Sequence, residues 1–426
     1  RLTDVALGPM LIALARDPAD AVKLAMMRCF YNLVYDSRSR DKVVHLGILK
    51  EPLTQAGRSS TPPALAQITS KILRVLCSDR QLASKVIDDG VIMSIIELVE
   101  TKDALVRQYA TEALCVLFRH DLALITLREQ GAVDALLSLC YTVDQTAMAE
   151  WCAFSVYHII TSVNASTILV SHGHKLLDVL LQLPSRHKSD HVSQYVSAAI
   201  MELTVAQIPG IQSSIPVLVE MFKYSSDAVR SYCASALYNF AGAEENCETM
   251  LSAGALAPVV ALIQAPHLPT KIKCAAILSR LTAQKAYIGE FARLDVIQVL
   301  LSMARVDHLV TCRRIVIALS NLSTDSGVRA LMQESVVQTV VDLATKSDEY
   351  VRRGCAAVLC NLTFDDCRVG PIQSKITSTL LITALVASDH ILTRKICLRA
   401  LTNQLFHAHL HESMIEDGIV WGLATL

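Results

Sequence analysis

The sequence predicts an all-α solenoid in which one helical unit is repeated along the chain. A motif of the form Ala-Leu-x-Asn-Leu, in full or degenerate copies, recurs through the 426 residues with a period of about forty-one. Within each period the apolar residues follow helical spacing, and no stretch alternates apolar and polar residues for long. Units of this length bury their apolar faces only by stacking on their neighbours, so we expect one continuous core.

The repeats align on the Asn of the motif, and we call this residue of each repeat the Asn position. Full or near-full copies place it at Asn32, Asn239, Asn321, Asn361 and Asn403. Degenerate copies place it at Val75, Val116, His158, Glu202 and Arg280, and the intervals lie between 37 and 44 residues. The alignment therefore predicts about ten repeats.

Glycine and capping residues divide each repeat into helices. A glycine follows the short helix and can adopt the left-handed cap conformation at Gly90, Gly131, Gly254 and Gly418. Ser or Asp precedes the long last helix and can accept hydrogen bonds from its orphan amides at Ser226-Asp227, Ser347-Asp348 and Ser388-Asp389. Each repeat is thus predicted to contain one short helix and two longer ones.

This three-helix unit resembles the armadillo repeat, catenin-like more than importin-alpha-like, and the resemblance covers essentially the whole chain. The two-helix HEAT unit is the alternative, although the short helix before each glycine favours armadillo. The resemblance implies a right-handed superhelical solenoid of about ten three-helix repeats, a single domain over residues 1–426 with the third helices lining the concave face. Apolar residues such as Val420 and Trp421 in the last helix suggest a fragment of a longer chain, or partners that cover its ends.

One region departs from the period. The interval from Glu202 to Asn239 is the shortest, and Gln207-Ile208-Pro209-Gly210 stands where a short helix is expected. Just before it, Pro184 to His191 has the composition of an enlarged polar loop. We therefore expect a bend or packing fault near residues 184–212.

The cysteines and histidines do not form recognisable chemical motifs. Five of the thirteen cysteines lie six residues before the Asn position, which predicts core sites for Cys152, Cys233, Cys274, Cys355 and Cys397. No Cys-x-x-Cys occurs, and the clusters His172-Gly-His174 and His407-Ala-His409-Leu-His411 place neighbours on different sides of a helix. Phosphate-binding glycine motifs, zinc-protease motifs and nucleophile elbows are absent from the sequence. We predict no catalytic residue, no metal site and no cofactor.

The asparagines have two possible roles, and both stay open at this point. In armadillo proteins that bind extended peptides, such a ladder hydrogen-bonds the peptide main chain, since an amide both donates and accepts. Alternatively, the amides tie neighbouring helices together. The asparagines that the resemblance assigns to partner binding are Asn239, Asn321, Asn361 and Asn403.

A basic series follows the last third helices. It comprises Arg313, Arg314, Arg352, Arg353, Arg394, Lys395 and Arg399. The series resembles the basic groove of catenin-like proteins and could meet an extended, acidic segment, because Arg binds carboxylates through two hydrogen bonds. The alternative is that some of these residues form solvated helix faces paired with Asp348, Glu349 and Asp389.

Two further observations bear on specificity. Import receptors of the importin-alpha type carry a Trp four residues before each Asn, and no Trp stands at those positions here, so import is not predicted. A repeated aromatic site lies seven residues before the Asn position, where core or groove-edge packing is expected for Tyr109, Trp151, Tyr195 and Tyr232.

These observations favour a non-enzymatic scaffold that binds other proteins. A formal net charge of -1 gives no global field toward nucleic acid, and the longest uncharged stretches are interrupted by polar residues or proline. Unpaired cysteines within helices are typical of a reducing compartment, so we expect the cytoplasm, with a cytoskeletal or ciliary location as the narrower form. The alternative function is a structural subunit of a large assembly such as a ciliary or flagellar axonemal complex.

Overall fold

A computed structural model describes residues 13–14, 16–40, 50, 53–54, 61–120, 123–222, 226–264, 267–306, 308–332, 334–364, 371–386 and 390–425. Every regular element within these ranges is a helix, as the sequence predicts. The chain divides into two compact units, Arg1–Val217 (unit 1) and Leu218–Leu426 (unit 2). That both belong to one solenoid over residues 1–426 stays a prediction.

The described α-helices of unit 1 contain between 6 and 22 residues. They are α1 Asp20–Tyr35, α2 Pro63–Ser78, α3 Arg80–Asp88, α4 Ile92–Val99, α5 Ala104–Leu117, α6 Leu124–Glu129, α7 Ala132–Thr142, α8 Thr146–Thr161, α9 Ala165–Arg186 and α10 Asp190–Ala206. A 3-10 helix, Ile211–Ser214, follows α10, and α11, Ile215–Met221, runs across the boundary of the units.

The described α-helices of unit 2 contain between 6 and 16 residues. Its helices are α12 Asp227–Phe240, α13 Glu244–Ser252, α14 Leu256–Ile263, α15 Leu268–Leu281, α16 Ile288–Arg293, α17 Val296–Ala304, α18 Leu309–Leu322, α19 Ser326–Leu331, α20 Glu334–Ala344, α21 Glu349–Leu362, α22 Pro371–Val386, α23 Ile391–Leu405, α24 His411–Glu416 and α25 Ile419–Thr425. Lys285–Tyr287 and Ala408–Leu410 form 3-10 turns ahead of α16 and α24.

The long helices of each unit stack in chain order. In unit 1, α1 packs on α2, α2 on α5, α5 on α8 and α8 on α10; in unit 2 the order is α12, α15, α18, α21 and α23. The Asn position lies near the C-terminal end of each of these long helices. A second layer packs against them, formed by α4, α7 and α9 in unit 1 and by α14, α17, α20 and α22 in unit 2, and α25 packs on α22. The chain therefore has a helical repeat fold.

The core between the layers contains the predicted cysteine site. The residue six before the Asn position is fully buried at Cys152, Cys233, Cys274, Cys355 and Cys397, which confirms that prediction. All described cysteines are unpaired, and burial raises the pKa of the Cys274 thiol to about 12. A buried thiolate would lose its hydration, so these residues act as small apolar side chains.

The predicted glycine caps are confirmed. All four glycines have positive φ, between 75° and 84°, in the left-handed region that a side chain disfavours: Gly90, Gly131, Gly254 and Gly418.

The predicted side-chain caps are confirmed only in part. The Asp348 carboxylate accepts the amide of Val351 at 3.0 Å, as expected for the start of α21. Ser226 occupies the cap of α12, but its side chain makes no capping hydrogen bond, so that prediction was wrong. Instead, Asp227 places a negative charge in the first turn, where the helix dipole favours it. Ser388-Asp389 lies outside the described residues.

Helix α9 departs from the predicted three-helix unit. One helix of 22 residues takes the place of a short and a second helix, and it continues through Pro184 to Arg186. The polar loop predicted over Pro184–His191 is therefore wrong. Pro184 lies in the last turn, where it has no amide to donate to the Leu180 carbonyl, and only three residues separate α9 from α10. Downstream, the 3-10 helix Ile211–Ser214 replaces a short α-helix, while the expected bend stays a prediction.

Candidate functional site

The long helices α18, α21 and α23 of unit 2 border a hollow of about 450 Å³. Most of its lining residues lie eleven, eight, seven or four positions before the Asn position, which places them on one face of each helix. The apolar lining comprises Val310, Ile317, Tyr350, Ala357, Leu392 and Ile396, and the polar lining includes Arg313, Arg314, Arg353 and Asn321. We call this surface the basic face of unit 2.

Arg313 is engaged in an ion pair between neighbouring long helices. Its guanidinium donates two hydrogen bonds to the Asp348 carboxylate at the start of α21, at 3.0 Å from Nε to Oδ1 and 2.5 Å from Nη2 to Oδ2. The guanidinium is the main cause that lowers the pKa of Asp348 below its usual value. Since this carboxylate also caps α21, Arg313 and Asp348 stabilise the packing of α18 on α21.

Arg352 and Arg394 share the place nine residues before the Asn position and are also engaged. Arg352 donates to the Glu349 carboxylate at 3.5 Å and to the Lys346 carbonyl at 3.2 Å. The Thr393 hydroxyl of α23 donates to the same Glu349 carboxylate, and Arg394 interacts within the protein as well. The structure thus places Arg313 and Arg352 in intramolecular ion pairs, in keeping with the alternative interpretation for these two residues.

Arg314 and Arg353 differ, because neither has a carboxylate partner among the described residues. The Arg353 guanidinium lies 5.1 Å from the centre of the Tyr350 ring, and the Arg313 guanidinium lies 4.9 Å from it. Tyr350 is 59 % exposed, so two cations hold an aromatic ring at the edge of the hollow.

The two remaining basic residues lie on α23. Lys395 is exposed and has no ion-pair partner within the described part of the chain. Arg399 is exposed too, with its guanidinium 5.6 Å from the centre of the Phe364 ring. The cations that can meet an outside anion are therefore Arg314, Arg353, Lys395 and Arg399.

The asparagines of unit 2 donate to the preceding long helix. Asn321 Nδ2 donates to the Ser279 carbonyl and the Thr282 hydroxyl, both at 3.2 Å. Asn361 Nδ2 donates to the Ser320 carbonyl at 3.3 Å and the Ser323 hydroxyl at 2.9 Å.

The direction of these bonds fixes the orientation of each amide, because a carbonyl can only accept. Asn403 Nδ2 likewise donates to the Thr363 hydroxyl at 3.1 Å. The donors of Asn321, Asn361 and Asn403 thus tie neighbouring helices, whereas their Oδ1 atoms have no hydrogen-bond partner among the described residues. Asn239 lies exposed near the end of α12 and has a partner within the protein.

A repeated sequence feature marks these hydrogen bonds between neighbouring long helices. Each accepting hydroxyl lies two residues after an Asn position, at Thr282, Ser323 and Thr363. The sequons Asn321-Leu-Ser323 and Asn361-Leu-Thr363 combine a donor for the preceding repeat with an acceptor for the next. No Ser or Thr stands two residues after Asn32 or Asn239. A hydroxyl at this position therefore marks a repeat that accepts a hydrogen bond from the Asn of the next repeat.

The corresponding face of unit 1 is aromatic. The predicted aromatic site is half-buried at Tyr109, Trp151 and Tyr195, and in unit 2 at Tyr232. The Phe154 ring lies 5.7 Å from Trp151, 5.4 Å from Tyr195 and 4.3 Å from His158, measured between ring centres. These half-buried rings contact one another on the long-helix face, and the expected groove-edge role stays a prediction.

Metal-binding and membrane-spanning arrangements are not found in the described ranges. No group of three His, Cys, Asp or Glu side chains lies close enough to hold a metal ion. No single described helix is long and apolar enough to cross a membrane, and α13 with α14, which reach that length together, are bent by 94°.

Comparison with known proteins supports the fold alone. No protein family model and no curated protein matches the sequence. An engineered protein solved by the Northeast Structural Genomics Consortium aligns with a TM-score of 0.56 and 19 % identity, covering 93 % of this chain and 98 % of that one. A structure described as a conserved phosphorylation switch controlling the interaction between cadherin and beta-catenin aligns with a TM-score of 0.50 and 15 % identity, covering 92 % and 99 %. The helical repeat fold of this chain is similar to both.

Proposed function

We propose that this protein is a non-enzymatic scaffold of the armadillo type whose basic face in unit 2 binds an extended, acidic segment of a partner protein. The observation that carries the proposal is the position of Arg314 and Arg353 at the hollow without carboxylate partners in the described residues. A partner carboxylate would form charge-assisted hydrogen bonds with either guanidinium. The apolar lining would accept an uncharged side chain of the same segment.

The asparagines favour an extended partner. Asn321, Asn361 and Asn403 have unpartnered Oδ1 atoms within the described part of the chain, and each can accept a main-chain N–H. Because their Nδ2 donors are used between helices, the proposed ladder binds main-chain donors only. The neighbour described through the cadherin and beta-catenin interaction is consistent with a protein as the ligand.

The remaining expectations belong to the same proposal. A right-handed superhelix of about ten three-helix repeats would present the basic face on its concave side. We place the protein in the cytoplasm and assign it no catalysis and no nucleic-acid partner, in keeping with its balanced charge.

A structural subunit of a large assembly, such as an axonemal complex, is the second candidate. Its supporting observation is the exposed apolar surface near the end of unit 2, where Trp421 is 69 % exposed together with Val420 and Phe406. Exposed apolar patches of this kind mark protein contacts. Binding in fixed proportion through this surface, independent of the basic face, would favour the second candidate.

Partner capture from extracts of the native cells tests the proposal. The bait is compared with Arg314→Glu/Arg353→Glu and with Arg293→Glu, a matched reversal of an exposed charge on α16. We expect at least one partner with an acidic segment to bind the unmodified and control proteins and to be lost from the double variant. An identical partner set for all three proteins would contradict the proposal.

A further inference from the structure

Unit 1 has aromatic rings at the same repeat position on successive long helices, and one of these rings contacts two cations of the same unit. Tyr109, seven residues before its Asn position, lies under two cations from the preceding long helix α2. The Lys71 ammonium is 5.6 Å and the Arg74 guanidinium 5.0 Å from the Tyr109 ring centre. These cations come from the positions four and one before the Asn position of α2.

Tyr195 is the equivalent of Tyr109 two long helices later. The residues of α8 that correspond to the two cations are Phe154 and Tyr157. Their ring centres lie 5.4 Å and 5.9 Å from that of Tyr195, so rings stand where the earlier repeat supplies positive charge. All three rings are only half-buried.

Negative charge accompanies these rings. Glu202 lies seven residues after Tyr195, on the same side of α10, and has no ion-pair or hydrogen-bond partner among the described residues. Glu150, beside Trp151, accepts a hydrogen bond from the Ser189 hydroxyl at 2.5 Å. One cation, Arg119, also contacts these rings, with its guanidinium 5.7 Å from the Phe154 ring centre.

We propose that Phe154, Tyr157 and Tyr195, together with the carboxylate of Glu202, bind a lysine or arginine side chain of a partner protein. The faces of the rings attract a cation, and the unpaired carboxylate complements its charge. The external cation would stand at Tyr195 in the place that Lys71 and Arg74 occupy at Tyr109, while Arg119 contacts the Phe154 ring. It differs in ligand charge from the basic face of unit 2 and does not depend on that face.

Fluorescence of Trp151, whose ring centre is 5.7 Å from Phe154, reports directly on this site. The chain has two tryptophans, so the Trp421→Phe variant leaves Trp151 as the sole indole. The probe is a short acetylated and amidated Gly/Ser peptide that carries lysines. Matched peptides carry norleucine or glutamate at the same positions.

We expect the lysine peptide to change Trp151 fluorescence saturably and to bind about tenfold more tightly than the norleucine peptide. Tyr195→Leu lowers this affinity several-fold, whereas Tyr109→Leu, at the ring that already has cations, changes it less than about twofold. Glu202→Gln leaves the ring packing intact and still lowers the affinity, which keeps the test valid if Tyr195→Leu fails to fold. Equal binding of the lysine and norleucine peptides, or of the lysine and glutamate peptides, overturns the proposal.

Discussion

The two units present different side chains from the same places of the repeat. Seven residues before the Asn position, unit 1 has Tyr109, Trp151 and Tyr195, whereas α18 and α21 of unit 2 have Arg314 and Gly354. The position one residue later in the sequence, six before the Asn position, is buried in both units and is apolar except at Thr69. The helical repeat therefore fixes the core and leaves the long-helix face free to vary.

The two units differ most at Gly354 of α21, because the same repeat position has a large ring in unit 1 and no side chain at Gly354. A Cβ at Gly354 would lie 2.3 Å from Val316 Cγ2 of α18, closer than any real contact. Val316 is β-branched and cannot rotate away at low cost. We expect Gly354→Ala to destabilise unit 2 by about 2 kcal/mol, even though alanine favours helix formation.

Thermal unfolding measures this effect. Gly289→Ala on α16 is the matched control, since nothing lies within 4 Å of its Cβ position, and it should be neutral or stabilising. Equal melting temperatures for the two variants would show that α18 and α21 do not depend on the close approach.

Two helix-capping aspartates, one in each unit, allow the stability contribution of an ion pair to be compared with that of a neutral hydrogen bond. Asp348 in unit 2 caps α21 and pairs with Arg313, whereas Asp103 in unit 1 caps α5 and accepts from the Gln67 amide at 2.9 Å. Replacement by alanine should cost about 2 kcal/mol at Asp348 and about 1 kcal/mol at Asp103. Urea unfolding at neutral pH checks this order, and a larger loss at Asp103 would contradict it.

Asp348 and Asp103 also predict how the free energy of unfolding depends on pH. Hydrogen bonds lower the pKa of both carboxyls in the folded protein, from Arg313 to Asp348 and from Gln67 to Asp103. Their contribution is therefore fully present above the unfolded value of about 3.9 and is lost as the pH falls through the folded values. Below that range the difference in stability between each alanine variant and the unmodified protein should shrink.

The asparagine ties give a smaller effect. Asn361→Ala removes hydrogen bonds to Ser320 and Ser323 and should destabilise unit 2 by about 1 kcal/mol. Asn32→Ala in unit 1 is the control, because the Asn32 amide has no side-chain hydrogen bond within the described residues and lies exposed. Indistinguishable losses at the two positions would mean that the ties add nothing to stability.

The sequence predicted the residues of the core more completely than those of the candidate site. The repeat position alone was enough to place the cysteines in the core and the glycines in the left-handed region, because those constraints are local to one unit. The sequence did not show that Arg313 forms an internal ion pair and Arg314 does not, because the partner of Arg313, Asp348, lies 35 residues away on the next long helix. Likewise, the polar composition of Pro184–His191 predicted a loop, whereas the structure continues α9 to Arg186 as one helix that packs on α7 and α10.

Binding of an acidic peptide to the basic face tests the central claim most directly. The ligand is a fluorescein-labelled Gly/Ser peptide carrying glutamates and one central phenylalanine, titrated by anisotropy into the unmodified protein, Arg314→Glu/Arg353→Glu and the Arg293→Glu control. Neither Arg314 nor Arg353 has an internal carboxylate partner among the described residues, so the double variant loses only the contact of Arg353 with the Tyr350 ring and should keep its stability within about 1 kcal/mol. The account predicts that this folded variant binds the peptide at least about tenfold more weakly, while the control binds normally. Equal affinity for all three proteins would contradict it.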